Sequence, residues 1–183
     1  MNQFSMAAGA FALLAMPGPT NTLLALAAQR RGVWELAVLA TTVVAAYLVV
    51  VVLLAVSTGA FLNSNPQIAA ALKLTSAAWV LYLAFRLWSA PGPVSAADVS
   101  ARDVLITTLL NPKAIITGLT MIPAANVSTQ IPRLITLAVV VAVASMLWLA
   151  FGKLVIGEQK TLRRCSCAVF MLFSGSLTAS LFS

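Results

Sequence analysis

The chain has 183 residues, 61% of them hydrophobic and only 8% charged, with a mean hydropathy of +1.01. A soluble domain carries about 25% charged residues to cover its surface, so lipid is the solvent that fits this composition. The net charge of +7, without an aromatic-interleaved basic patch, argues for lysines and arginines holding cytoplasmic loops in place and against nucleic acid.

Six apolar segments follow along the chain, each close to the roughly 20 residues that a spanning helix needs. The first covers residues 4–27 and is broken by Pro17-Gly18-Pro19. Its first basic residue, Arg30, comes after the apolar stretch, so the segment reads as a retained span and not as a cleaved signal. The second, 36–56, has no charge from residue 37 onward. The third, 68–88, contains Lys73 near its start, where the side chain can snorkel to water. The fourth, 104–125, contains Asn111-Pro112-Lys113. The fifth and sixth cover 133–151 and 161–182.

Between these segments the charges are unevenly shared. Arg30, Arg31, Arg86, Arg102, Lys153, Lys160, Arg163 and Arg164 lie at or beside the first, third and fifth joints, at 29–35, 89–102 and 152–160. All four acids, Glu35, Asp98, Asp103 and Glu158, fall on the same side. The second and fourth joints, 57–67 and 126–132, are uncharged. Short basic loops stay in the cytoplasm, which predicts a multi-pass protein with both termini outside.

The first and fourth segments share an anomaly, a proline about half-way along an apolar run. Proline removes a backbone donor and clashes with the carbonyl four residues earlier. The freed carbonyls, those of Leu13, Ala15 and Thr108, are costly in lipid, so the breaks should face protein or a water-filled cavity. Three spans separate the two breaks, and an odd number reverses direction. A faint similarity between residues 72–77 and 162–167 points the same way. The predicted fold is an all-α membrane protein, one transmembrane domain over 1–183. Its six transmembrane helices form two inverted three-helix repeats, about 1–90 and about 103–183, joined by a linker at about 89–102, with helices 1 and 4 broken at proline.

Paired proline-broken segments in matching halves point to a transporter site. Each half-helix after its proline opens with free N–H groups and a positive dipole end, suited to a carboxylate, while freed carbonyls suit an ammonium. A zwitterion such as an amino acid fits both. The candidate substrate-binding residues are therefore Pro17, Gly18, Pro19, Asn21, Asn111, Pro112 and Lys113. Lys113 stands out, because a lysine at a helix centre costs roughly 2.5–3.5 kcal/mol on insertion scales and needs a compensating partner. The alternative for each break is a plain kink, and for Lys113 a cap on broken backbone.

No Asp, Glu or His lies in the core of any segment. Proton coupling needs a group that gains and loses a proton within the span. Lys113 and Asp103, the acid at the inner end of the fourth segment, are the candidates. With no histidine, no nucleophile beside a base and no carboxylate pair in a span, neither an enzyme nor a metal or other cofactor is expected.

The runs Pro17-Gly18-Pro19-Thr20-Asn21-Thr22 and Leu110-Asn111-Pro112-Lys113-Ala114, with Leu72-Lys73-Leu74 and Trp79-Val80-Leu81-Tyr82-Leu83 between them, resemble the lysine exporter family of bacterial amino-acid exporters, including its homoserine and threonine efflux branch. The likeness extends in order over nearly the whole chain. It implies export of amino acids or similar small metabolites from the cytoplasm by proton antiport, across the inner membrane of a bacterium, and is compatible with a homodimer. The chain departs from the family pattern at Leu36, Thr41, Ala45, Ser76 and Cys167, where the family is rich in glycine. It also departs at Ala45-Ala46, where many relatives carry a polar or acidic residue, and at Ile116-Thr117-Gly118, where aromatics are usual. These changes leave substrate choice open.

Other readings are an uncoupled small-solute or ion channel or exporter, a membrane thiol-redox protein using Cys165 and Cys167, and a non-transporting assembly factor. A channel would need a ring of acids or carbonyls. The two cysteines stand one residue apart instead of at the common C-x-x-C spacing.

Overall fold

The computed structural model describes residues 2–29, 31–56, 64–89, 99–121, 127–154 and 159–179. Among the described residues the chain is helical and no strand occurs. In chain order the helices are α1 (Gln3–Ala15), α2 (Pro19–Ala28), α3 (Val33–Val56), α4 (Pro66–Ser89), α5 (Ala101–Leu109), α6 (Pro112–Met121), α7 (Val127–Leu154) and α8 (Gln159–Ala179). Within the described residues each of the six apolar segments is thus helical, and the first and fourth are each divided in two. Most of joint two, residues 90–98 of joint three, and residues 155–158 of joint five lie outside the described residues.

Local chemistry accounts for the boundaries. Pro19, Pro66 and Pro112 each open a helix, where the missing N–H is not needed and the fixed φ is already helical. Asn2 caps α1, its Oδ1 accepting from the Ser5 amide at 2.7 Å. Ser100 and Asp103 form a reciprocal capping box at the start of α5. Helix α7 begins six residues before the expected 133, with Pro132 inside it. The reason is positional: Pro132 falls two residues beyond the four whose N–H groups have no helical partner, so only one exposed donor is lost near the helix start.

Three helices are long and apolar enough to cross a membrane, over residues 33–55, 66–89 and 130–154; α1 and α2 make a fourth if the bent pair counts as one span. Their outward faces are apolar. Phe4, Leu53, Phe85 and Met146 are all more than half exposed, a surface that water would penalise and lipid would not. These are the marks of a membrane-embedded protein.

The most buried element is α2, in which Thr22 through Ala28 are all buried. It packs chiefly on α7 and also touches α8, α5 and α3. Helix α7 also covers α1, while α3 covers α5 and α6 and meets α7 at the centre; α4 pairs with α8. Two closer contacts explain how such apolar helices hold together where no hydrophobic drive exists between them. At the α4–α8 seam, Ser174 Oγ donates to the Ala77 carbonyl at 3.0 Å, and Cys167 Sγ donates to the Ala84 carbonyl at 3.5 Å. At the α2–α7 contact, Gly152 lies so near the Ala25 backbone that a Cβ there would overlap the Ala25 carbonyl and sit 2.7 Å from its Cα.

One end of the bundle gathers the charged joints. Arg31 Nη2 donates to the Val99 carbonyl at 2.6 Å, and Lys153 Nζ donates to the Arg31 carbonyl at 2.9 Å. Residues from joints one, three and five therefore meet at the same end.

Gly152→Ala should destabilise the protein by ~1–3 kcal/mol, because the added methyl meets backbone that cannot yield. Gly175→Ala, whose Cβ would meet nothing within 4 Å, should be neutral or stabilise by up to about 1 kcal/mol through helix propensity. Thermal unfolding of the two purified variants in detergent measures the contrast.

Candidate functional site

The first break is a bend of 67° between α1 and α2. Met16 ends α1 with extended backbone, and Gly18 precedes α2 with extended backbone. Proline at 17 and 19 supplies no donor, so the last carbonyls of α1 must find partners elsewhere. They do. Asn21, in the first turn of α2, folds back across the bend, and its Nδ2 donates to the Leu14 carbonyl at 2.7 Å and the Met16 carbonyl at 2.9 Å. Trp148 Nε1, from the middle of α7, donates to the Ala15 carbonyl at 3.3 Å. Lys113 Nζ donates to the Met16 carbonyl at 2.6 Å and the Pro17 carbonyl at 3.3 Å. Four consecutive carbonyls are thereby satisfied.

The second break lies at Leu110 and Asn111, between α5 and α6. Asn111 Oδ1 accepts from the Lys113 amide at 3.0 Å and so caps α6. Its Nδ2 donates to Thr20 Oγ1 at 3.0 Å, across to α2. Thr20 Oγ1 in turn lies 3.4 Å from Thr108 Oγ1. Thr108 spends its single hydroxyl proton on the Val104 carbonyl at 2.7 Å, so Thr20 is the donor between them. The Leu110 carbonyl accepts from Ser76 Oγ of α4 at 2.6 Å, and Trp79 Nε1 donates to Thr107 Oγ1 at 2.9 Å.

The two breaks therefore touch, and most of the residues singled out in the sequence come together there. Pro17, Gly18, Pro19 and Asn21 form one side; Asn111, Pro112 and Lys113 form the other. Gly18 is buried beneath the lysine, and a Cβ on it would lie 3.1 Å from Lys113 Nζ. Pro17 and Met16 are exposed, which leaves the outer side of the break open. The expected carbonyls are not quite the ones that face a cation. Ala15 is taken by the indole and Thr108 by the Asn111 amide at 3.1 Å; Met16 and Pro17 meet the ammonium instead.

Asp103 lies elsewhere. It is buried at the start of α5, paired in a two-point contact with Arg86 (Nη1 to Oδ1 3.1 Å, Nη2 to Oδ2 2.8 Å), while the Ser100 amide and hydroxyl donate to its Oδ2. That is the geometry of a helix cap tied to the end of α4.

The side chains of Thr20, Thr108, Ser76, Trp79 and Trp148 were not among the candidate site residues, yet each supplies a polar contact at or beside the breaks. The available signal was a short hydroxyl or an indole inside an apolar run, since each such polar atom must find a partner away from water. The described cysteines do not face each other. Cys165 is exposed and Cys167 is buried against the Ala84 carbonyl, as expected two residues apart on a helix. Among the described residues no group of three or more potential metal ligands occurs. A groove of about 640 Å³ lined by Ala78, Leu81, Tyr82, Phe85, Trp88 and Met171 opens on the α4–α8 face, away from the breaks. Its apolar walls suit a lipid tail.

No family model, no curated protein and no solved structure matches this chain.

Thr20→Val leaves the Asn111 amide short of an acceptor in a buried site and should cost ~1–3 kcal/mol. Asn111→Leu should cost as much or more, since it also removes the α6 cap. The double variant should lose less than the two losses added together, by ~0.5–3 kcal/mol of coupling. Chemical unfolding of the four proteins in the cycle reads this directly, and strict additivity would show that the two side chains do not act together.

Proposed function

We propose that the chain is a secondary transporter that exports amino acids or related small zwitterionic metabolites from the cytoplasm of a bacterium, across its inner membrane. The observation that carries the reading is the meeting of two proline-broken helices, with the lysine of one seated on the opened backbone of the other. Broken helices deep in a bundle are costly, and substrate sites are where they recur. The α2 N-terminus has no side-chain cap, so its dipole offers a positive locus for a carboxylate. The carbonyls of Met16 and Pro17 offer a negative locus for an amine. The likeness to lysine exporters at both proline motifs is independent support from the sequence.

In this reading six spans form two inverted repeats, α1–α4 and α5–α8. Exchanging the halves turns α1 into α5, α2 into α6, α3 into α7 and α4 into α8. The α2–α7 contact then becomes α6–α3, α1–α7 becomes α5–α3, and α2–α5 becomes α6–α1; all of these pairs pack. The contacts of α2 with α8 and α3, and of α4 with α5, lack such a counterpart among the main packings. A shift of 90 residues, the offset of the similar stretches 72–77 and 162–167, also exchanges the Ser174–Ala77 bond with the Cys167–Ala84 bond. The shared end of joints one, three and five supports a cytoplasmic side there and both termini outside. Export is driven by proton antiport.

The test is efflux from cells preloaded with a panel of labelled amino acids, at matched membrane levels of wild type and Lys113→Ala. The wild type should export at least one of them. The variant should lose on the order of tenfold or more of that rate, as expected when a charge-assisted contact worth ~1.5–3 kcal/mol is removed. Wild-type cells that retain the whole panel would exclude amino-acid export.

A further inference from the structure

We propose that the Met16 and Pro17 carbonyls form an ammonium cradle for which Lys113 and an incoming primary amine compete, so that the amine enters in exchange for the Lys113 proton. For its physiological ligand the proposal rests on the transporter reading; the cradle itself does not.

The cradle is a built feature. The C-terminal end of α1 carries the negative pole of its dipole, and the extended backbone at Met16 takes the chain out of the helix. Asn21 secures the Met16 carbonyl from the α2 side, leaving its second lone pair for the cation. Gly18 leaves room for the ammonium, since a Cβ would press on Lys113 Nζ and Cε at 3.1 and 3.2 Å. Lys113 Nζ is seated on the two carbonyls at 2.6 and 3.3 Å. The cradle thus already holds a primary ammonium, the group that every common amino acid but proline carries.

Among the described residues no carboxylate shares the site. Helices α1 and α2 carry no ionisable side chain. Among the elements packed around α1 and α6, α3 carries Glu35 in its first turn and Tyr47 buried in the core, and α7 carries Arg133 and Lys153 near its ends. On α5, Asp103 is engaged by Arg86, and Arg102 lies at the helix start. Lys113 Nζ therefore rests on carbonyl oxygens, whose partial charges suffice for one cation. Two ammonium ions on the same two oxygens would lie within a few ångströms of each other and repel. An entering amine must displace Lys113, and a displaced lysine deep in a span is costly as a cation. The exchange then balances simply. An alkylammonium ion takes the two carbonyls, the Lys113 ammonium becomes a neutral amine, and its proton leaves to water through the exposed side of the break. Such a site couples an amine to a proton without any acid in the span.

The experiment uses methylammonium as the probe, titrated by calorimetry into the purified chain in detergent across neutral pH. Because one proton leaves for each cation bound, wild-type affinity should tighten by about tenfold per pH unit. Lys113→Met, with an empty cradle, should bind methylammonium more tightly and with no such slope. Lys113→Arg, which keeps a permanent cation on the carbonyls, should bind none at any of these pH values. Tetramethylammonium, with no N–H to donate, should bind to none of the three. Size-exclusion elution at the wild-type position verifies folding, and the wild-type slope stands without any variant. A wild type whose binding is independent of pH, or a folded Lys113→Met that binds no methylammonium, would overturn the proposal. The full binding pattern without efflux of any amino acid would leave the cradle standing and remove the transporter reading. Efflux without the pattern would do the reverse.

Discussion

The structure turns on an obligation of backbone chemistry, that a carbonyl released from its helix in a dry setting must be given another donor. Prolines 17 and 19 create the obligation at the end of α1, and three side chains from three different helices meet it. Asn21 comes from α2, Trp148 from α7 and Lys113 from α6, so the repair of one bend fixes the positions of much of the bundle. The second break is mended in the same way by Ser76 of α4 and by the Asn111–Thr20–Thr108 chain. Each donor is worth only about 1 kcal/mol net, but leaving the acceptor bare would cost more. The polar residues of this very apolar chain are therefore concentrated where the backbone fails.

How far the sequence announced this depended on the kind of signal. Apolar runs near 20 residues long are hard to mistake, and all six segments are helical within the described residues. Proline marks a break just as clearly, because its effect is local and covalent. The start of α7 differs from expectation for a related reason: Pro132 and the polar 126–132 stretch read as a joint, but a proline so near a helix start removes just one donor and the helix begins before it. The place where the two breaks meet was legible in Asn21, Asn111 and Lys113, polar residues in an apolar setting. Their pairing was not. Nothing local to Lys113 says that its ammonium should reach residues 97 and 96 positions earlier, and Trp148 looks like any aromatic in an apolar helix until its indole meets Ala15.

Asp103 illustrates the opposite case. As the acid nearest the fourth segment it drew a functional reading from its position along the chain. In space it is a helix cap clasped by Arg86, the kind of partnered carboxylate that buries well because every oxygen is engaged. Near it, Arg31 and Lys153 each donate to backbone carbonyls. At this end of the bundle cations hold chain segments together, while at the breaks a single cation holds two helices to each other.

The contact of Gly152 with Ala25 has a mechanical consequence. Backbone pressed on backbone, with no side chain between, leaves nothing that can flex or slip, so α2 and α7 behave as one plate. Any rearrangement of the bundle must carry the two together and take up the motion at their borders. On the α2 side that border is residues 16–18, a jointed stretch already freed from helical bonding. Asn21, Lys113 and Trp148 clasp the carbonyls in and just before that stretch, so the plate stays fastened to α1 until those bonds are released.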